Sequence, residues 1–165
     1  MTSEHLLHTI PPIYDGNSKI LILGSFPSVK SREVSFYYEH PQNRFWRVLA
    51  AVLGCAVPSS NEEKTALLQS HNIALWDVIK SCDIVGSSDS SIKNVVPNDI
   101  GVILSSCGIR QIYSNGKTSE KLFNKYIKDT VGRDTVALPS TSPANASYNL
   151  ERLTDSWSVI KNNIR

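Results

Sequence analysis

The run Lys19-Ile20-Leu21-Ile22-Leu23-Gly24 constrains this chain more than any other segment. Successive side chains of a strand point to opposite faces, so four consecutive branched apolar residues need cover on both sides. A strand with one face in water would alternate, and this one does not. Shorter runs at 73–76, 111–114 and Thr135–Leu138 repeat the signal.

Helical patterns lie between these runs. Residues 43–53 place Phe45, Trp46, Leu49, Val52 and Leu53 on one broad face, with Gly54 as the stop. Ser60 and Glu63 have capping-box spacing and open a second helix toward Ser70. Asn98 or Asp99 caps a short helix ended by Gly108, and 117–131 reads as one helix with Leu122, Phe123, Tyr126 and Ile127 inward. A last helix carries Leu150, Leu153, Trp157, Ile160 and Ile164 at spacings of three and four. Residues 81–91, dominated by Ser, Gly and Asp, read as a loop, and Asn115-Gly116 as a turn. Strands alternating with helices, with no repeat or linker, predict an α/β fold: a three-layer αβα sandwich around a four-stranded parallel sheet, forming one domain over residues 1–165. Ligands in such sheets bind beyond the carboxyl ends of the strands, which selects the loops after Leu23, Leu75, Ser114 and Leu138.

Composition narrows the class. A chain of 165 residues that is 41% hydrophobic and 19% charged is ordinary for a globular protein. No apolar run is long enough to span a membrane, and residues 1–7 lack the layout of a secretion signal. The expectation is a monomer in the cytoplasm, associated with the nucleoid in a prokaryote. Cys55, Cys82 and Cys107 lack paired or metal-ligand spacing and read as reduced thiols. His5, His8 and His71 likewise show no metal spacing and read as surface residues. Net charge is only +2, but residues 110–133 hold six basic side chains against two acidic ones.

The first selected loop holds Gly24-Ser25-Phe26-Pro27-Ser28 and, further on, Phe36-Tyr37-Tyr38-Glu39-His40-Pro41-Gln42-Asn43-Arg44-Phe45-Trp46. Gly24 lets a backbone approach a ligand closely. The three adjacent aromatics form either a platform for a flat ring or a patch packed back over the sheet edge. The last loop, Leu138-Pro139-Ser140-Thr141-Ser142-Pro143-Ala144-Asn145, offers neutral hydrogen-bonding groups suited to phosphate and sugar, or else a helix-capping turn.

Gly-Ser-Phe-Pro-Ser at 24–28, His-Pro-Gln-Asn-Arg-Phe-Trp at 40–46 and Leu-Pro-Ser-Thr-Ser-Pro-Ala-Asn at 138–145 resemble, in order, motifs of the uracil-DNA glycosylase superfamily. The nearest likeness is to its hypoxanthine-DNA (deoxyinosine) glycosylase branch. Leu75-Trp76-Asp77-Val78, residues 86–91 and Asn115-Gly116 extend it. The His-Pro-x-Asn-Arg-Phe-Trp element is shared with mismatch-specific uracil glycosylases and marks the superfamily alone.

The resemblance implies hydrolysis of the N-glycosidic bond of deaminated bases, hypoxanthine before uracil, after the base swings out of DNA. It also implies departures. The first-motif Asp that positions water in the most active relatives falls here at Phe26, and the His that steadies the departing base falls at Leu138. Asn43 becomes the leading catalytic candidate, its carbonyl orienting water and its NH₂ donating to the base. It can equally be a helix N-cap. Asp77 is a second catalytic candidate, or caps a turn. Gly24, Ser25, Phe26, Tyr38 and Asn115 are candidate base-binding residues, with Tyr38 stacking on the base and Asn115 reading its edge. Asn115 can also serve only the turn. Ser28, Ser31, Lys117, Ser140, Thr141, Ser142, Pro143 and Asn145 are candidate DNA contacts. Pro143 and Ala144 are placed to press on the minor groove, and His40 can touch phosphate or the base. Lys117, Lys121, Lys125 and Lys128 line one helix face, which is either a DNA-facing stripe or a solvated one.

DNA containing deaminated bases is thus the expected partner, with no metal, redox cofactor or ATP required. A rival reading is a module that binds damaged or unpaired bases without cutting them. A serine hydrolase lacks G-x-S-x-G here, and nucleotide binding lacks G-x-G-x-x-G or a P-loop.

Overall fold

The computed structural model describes residues 2–165. In chain order the elements are β1 (Glu4–Leu7), β2 (Ile20–Gly24), α1 (Val29–Val34), α2 (Phe45–Leu53), α3 (Asn61–Ser70), β3 (Ile73–Asp77), β4 (Ile79–Ile84), β5 (Lys93–Pro97), α4 (Gly101–Ser106), β6 (Gln111–Asn115), α5 (Lys117–Tyr126), α6 (Lys128–Val131), β7 (Thr135–Leu138) and α7 (Leu150–Trp157). No described helix is long and apolar enough to cross a membrane.

The four expected strands form one parallel sheet in the order β3-β2-β6-β7. Strand β2 is central, and Ile20 to Leu23 are fully buried. Ile20 and Ile22 face one core with Trp46, Leu49, Leu68, Leu153 and Trp157 of α2, α3 and α7. Leu21 and Leu23 face the other with Ile103 and Phe123 of α4 and α5. Two covers explain the unbroken apolar run, each such side chain contributing roughly 1.5–3 kcal/mol on burial.

The second face also holds a small antiparallel sheet, β1-β4-β5, which sequence reading missed. Residues 79–84, taken mostly as loop, are a strand whose Ile79, Cys82 and Ile84 are buried. Polar Ser81 and Asp83 disguise it. Asp83 is satisfied laterally by His5 Nδ1 at 2.7 Å and Asn94 Nδ2 at 2.6 Å. Only Val78 separates β3 from β4, so the chain leaves one sheet and enters the other at once.

Three helix boundaries also differ. The expected helix 117–131 breaks at Ile127 (φ −120°) into α5 and α6. Neither Asn98 nor Asp99 caps α4; Asn98 instead donates to the carbonyls of Asp77 and Ile79, stitching the sheet junction. The last helix tightens into a 3₁₀ turn at Ser158–Asn162. At α3 the expected cap is present, Ser60 Oγ accepting from the Glu63 N–H at 3.0 Å.

Candidate active site

At the carboxyl ends of the parallel strands lies a cavity of about 290 Å³. That is near the small end of ligand pockets, ~300–1,000 Å³, and it suits one planar ring system. Its lining comes from the strand ends and the loops beyond them: residues 24–28, Tyr37, Tyr38, His40 and Asn43 from the first, Asp77 as the last residue of β3, Asn115 as the last residue of β6, and residues 140–144 after β7. Among the described residues no lysine or arginine lines it, and Asp77 and Asp89 are its carboxylates. The cavity is therefore suited to a neutral ring better than to a phosphate.

Asn43 and Asn115 are joined through Thr141, which is fully buried. Two backbone donors fix the amide orientations. The Phe45 N–H donates to Asn43 Oδ1 at 2.9 Å, and the Thr141 N–H donates to Asn115 Oδ1 at 3.0 Å. Asn115 Nδ2 then donates to Thr141 Oγ1 at 3.0 Å, and that hydroxyl donates to Asn43 Oδ1 at 2.9 Å. Proton direction along the chain is thus set. The Asn43 carbonyl is taken twice by protein, by the Phe45 N–H two residues on and by Thr141, whereas its NH₂ has no partner among the described residues; the expected N-cap position of α2 belongs instead to Arg44. This corrects the expectation that the Asn43 carbonyl orients water: the group left free is a donor. Asn115 is partly committed as well, holding the last loop. The left-handed residue at that turn is Gly116 (φ 92°), against which Ser140 packs.

Arg44 ties the same two motifs by another route. Its guanidinium donates to the carbonyl of Tyr148, to that of Ser142 at 2.9 Å and to that of Asn145 at 3.1 Å. One planar side chain thereby holds a loop that lacks secondary structure of its own.

The adjacent aromatics divide. Phe36 stacks on Trp46, and Tyr37 is buried with its hydroxyl donating to the Pro11 carbonyl at 2.8 Å, so these two pack back. Tyr38 has a positive φ of 55°, lies 4.1 Å from Phe45 in a stacked pair, and lines the cavity. Its buried hydroxyl has no hydrogen-bond partner among the described residues. Burial and then the Asp77 charge raise its pKa far above the ordinary phenol value, while the nearby Asn115 amide, which pulls the other way, falls short of hydrogen-bonding geometry. An orphaned buried hydroxyl costs roughly 1–3 kcal/mol, which a bound polar atom would recover.

Gly24 is where Tyr38 and Asp77 converge. A Cβ on Gly24 would lie 2.4 Å from Asp77 Oδ1 and 2.9 Å from the Tyr38 hydroxyl, so no larger residue fits without moving them. Asp77 is buried, and its other oxygen lies 2.7 Å from His8 Nε2. His8 is no surface residue: its side chain is 1% exposed, so that expectation fails. Sequence offered no local signal, because 69 positions separate the partners. The β1–β4 pairing brings them together, with the His8 N–H donating to the Lys80 carbonyl at 2.7 Å.

The remaining candidates scatter. Ser25 donates to Asp89 at 3.4 Å; burial of that carboxyl raises its pKa, opposed by hydrogen bonds from Ser25 and Thr118. Phe26 is partly buried and meets the His8 ring edge-on. Ser28 caps α1, and Ser31 is buried with its hydroxyl accepting from Ser28 and from the Glu39 N–H. Ser140 and Ser142 are half-buried at the rim, where Pro143 and Ala144 are exposed. Asn145 folds the loop by donating to the Ser140 carbonyl at 3.0 Å. Lys117 is exposed and is not part of the cavity lining, and Lys128 pairs with Asp134 at 3.0 Å. Leu138, standing where relatives carry a His, belongs to the core. No group of three or more His, Cys, Asp or Glu fit to hold a metal occurs among the described residues.

The chain is similar to known proteins along most of its length. The model of the uracil DNA glycosylase superfamily matches residues 11–162. A hypoxanthine DNA glycosylase of Methanosarcina barkeri is 35% identical over 137 residues, covering 82% of this chain and 85% of the relative. A protein of the same name from Methanosarcina acetivorans is 34% identical over 152 residues, covering 91% and 94%. The solution NMR structure of a candidate uracil DNA glycosylase from Methanosarcina acetivorans superposes with a TM-score of 0.78 at 32% identity, covering 92% and 94% of the two chains.

Proposed function

We propose, from the premise that the chain belongs to the uracil DNA glycosylase superfamily, that its strand-end cavity receives one deaminated base swung out of DNA, hypoxanthine first. The protein is a DNA-repair glycosylase hydrolysing the bond between such a base and its deoxyribose. Hypoxanthine and uracil share a lactam edge, a keto oxygen beside an N–H, so a site that reads this edge takes either. The relatives' names favour the purine.

The observation that carries the reading is the meeting of three differently equipped groups on one small cavity: the Asp77 carboxylate, the unpartnered Tyr38 hydroxyl and the free Asn43 NH₂. Breaking the bond builds positive charge on the sugar and negative charge on the base. Asp77 Oδ1 accepts a proton from water as the water oxygen bonds to C1′. The C1′–N9 electron pair leaves with the purine, which takes a proton from solvent. Asn43 Nδ2 donates to the departing base, and Tyr38 presents its free ring face and hydroxyl to it. Asn115 and Thr141 hold Asn43 in register. Gly24, Ser25 and Phe26 form the floor and wall. Ser28, Ser140 and Ser142 meet the DNA backbone, Pro143 and Ala144 press into the gap, and Lys117 adds charge outside the cavity.

The test is incubation with labelled duplexes containing inosine, uracil or xanthine, followed by alkali. Alkali-dependent breaks at inosine are expected. Tight binding without breaks would instead identify a non-cutting binding module.

A further inference from the structure

The first-motif position that holds a carboxylate in the most active relatives is occupied here by Phe26, which lines the cavity but has no polar atom in its side chain. The carboxylate at the floor comes instead from the end of β3, and its support comes from the far end of the chain. His8 Nε2 lies 2.7 Å from Asp77 Oδ2, with side-chain exposures of 1% and 5%. A carboxylate oxygen only accepts, so Nε2 is the donor. The imidazole is itself held, with Phe26 edge-on at 6.0 Å between ring centroids and Tyr37 at 6.3 Å. Asp77 Oδ1 remains as the oxygen facing Gly24 and the cavity.

We propose that His8 is a positioning residue: through Nε2 it fixes the rotation of the Asp77 carboxylate, so that Oδ1 alone meets the attacking water. This rests on the assignment of Asp77 to water placement. The two oxygens then have separate duties, one anchored by protein and one presented to substrate. Phe26 serves as the wall that keeps the imidazole in place. The antiparallel sheet acquires a role in the chemistry, because β1 delivers His8 to a site built otherwise from the parallel sheet.

The experiment measures single-turnover cleavage of an inosine duplex alongside affinity for a duplex carrying 2′-fluoro-deoxyinosine, which binds but resists hydrolysis. His8→Phe keeps a ring between Phe26 and Tyr37 without the donor; His8→Gln restores an N–H at similar reach. The expected result is a rate loss of about 10²-fold for His8→Phe, as for misplacement of a reacting group by ~1 Å, with affinity unchanged within about two-fold. His8→Gln should recover most of the rate. In an Asp77→Ala background, His8→Phe should cost nothing further, because its effect passes through Asp77. Full cleavage by His8→Phe with Asp77→Ala impaired overturns the role of His8 alone. Full cleavage by Asp77→Ala overturns the assignment of Asp77 beneath it. Equal losses of rate and affinity in His8→Phe identify a structural role only and also overturn the proposal.

Discussion

Thr141→Val removes one hydroxyl from the centre of the site while preserving shape. Thr141 is fully buried, donates to Asn43 Oδ1 at 2.9 Å and accepts from Asn115 Nδ2 at 3.0 Å. Valine deletes both bonds and leaves the Asn115 N–H without its acceptor, while Asn43 Oδ1 keeps the Phe45 N–H. Two net bonds and one orphaned donor amount to about 2–4 kcal/mol of lost stability. For a domain of this size, where each kcal/mol moves Tm by ~2–4 °C, the fall should be about 5–15 °C. Asn43 loses the partner that fixes its amide, so single-turnover cleavage of an inosine duplex should drop by about 10²-fold. Thr141→Ser keeps the hydroxyl and should retain most of the rate. Asn43→Ala made in the valine background should add less than it does alone, since the residues act as one unit. A valine variant melting within about 2 °C of the parent, with full cleavage, would refute the reasoning.

Three further outcomes follow from the same geometry. Asn43→Asp keeps the acceptor used by Phe45 but loses the free NH₂, so calorimetry should find Tm nearly unchanged while cleavage falls roughly 10²–10³-fold; Asn43→Ala should also lose the bond from the Phe45 N–H, about 1 kcal/mol. Gly24→Ala places a methyl 2.4 Å from the anchored Asp77 carboxylate and 2.9 Å from Tyr38, and should cut the single-turnover rate by about 10²-fold in a folded protein. Arg44→Lys replaces the planar fork holding the carbonyls of Ser142, Asn145 and Tyr148, so amide exchange across 139–149 should accelerate and affinity for inosine duplex should weaken.

Much of the framework was readable because it depends on local periodicity. The two-faced burial of Ile20 to Leu23 and the stop at Gly54 are written in side-chain order. The motif that brought Asn43 forward was legible for the same reason. What failed was decided by distant partners. Residues 81–84 looked like loop because Ser81 and Asp83 are polar, and only the cross-strand donors His5 and Asn94 make Asp83 acceptable there. Ser31 stood among the candidate DNA contacts, yet it is buried and accepts from the Glu39 N–H.

By itself the sequence determined the layers, the parallel strands and which loops follow their carboxyl ends, since periodic burial acts within a few residues of each position. Tertiary structure alone decided which atoms of those loops are free. Hydrogen-bond capacity is spent by whichever partner arrives in space, so Asn43 keeps only its donor because Thr141 and Phe45 take its acceptor. Asp77 presents only one oxygen because His8, brought across from β1, holds the other.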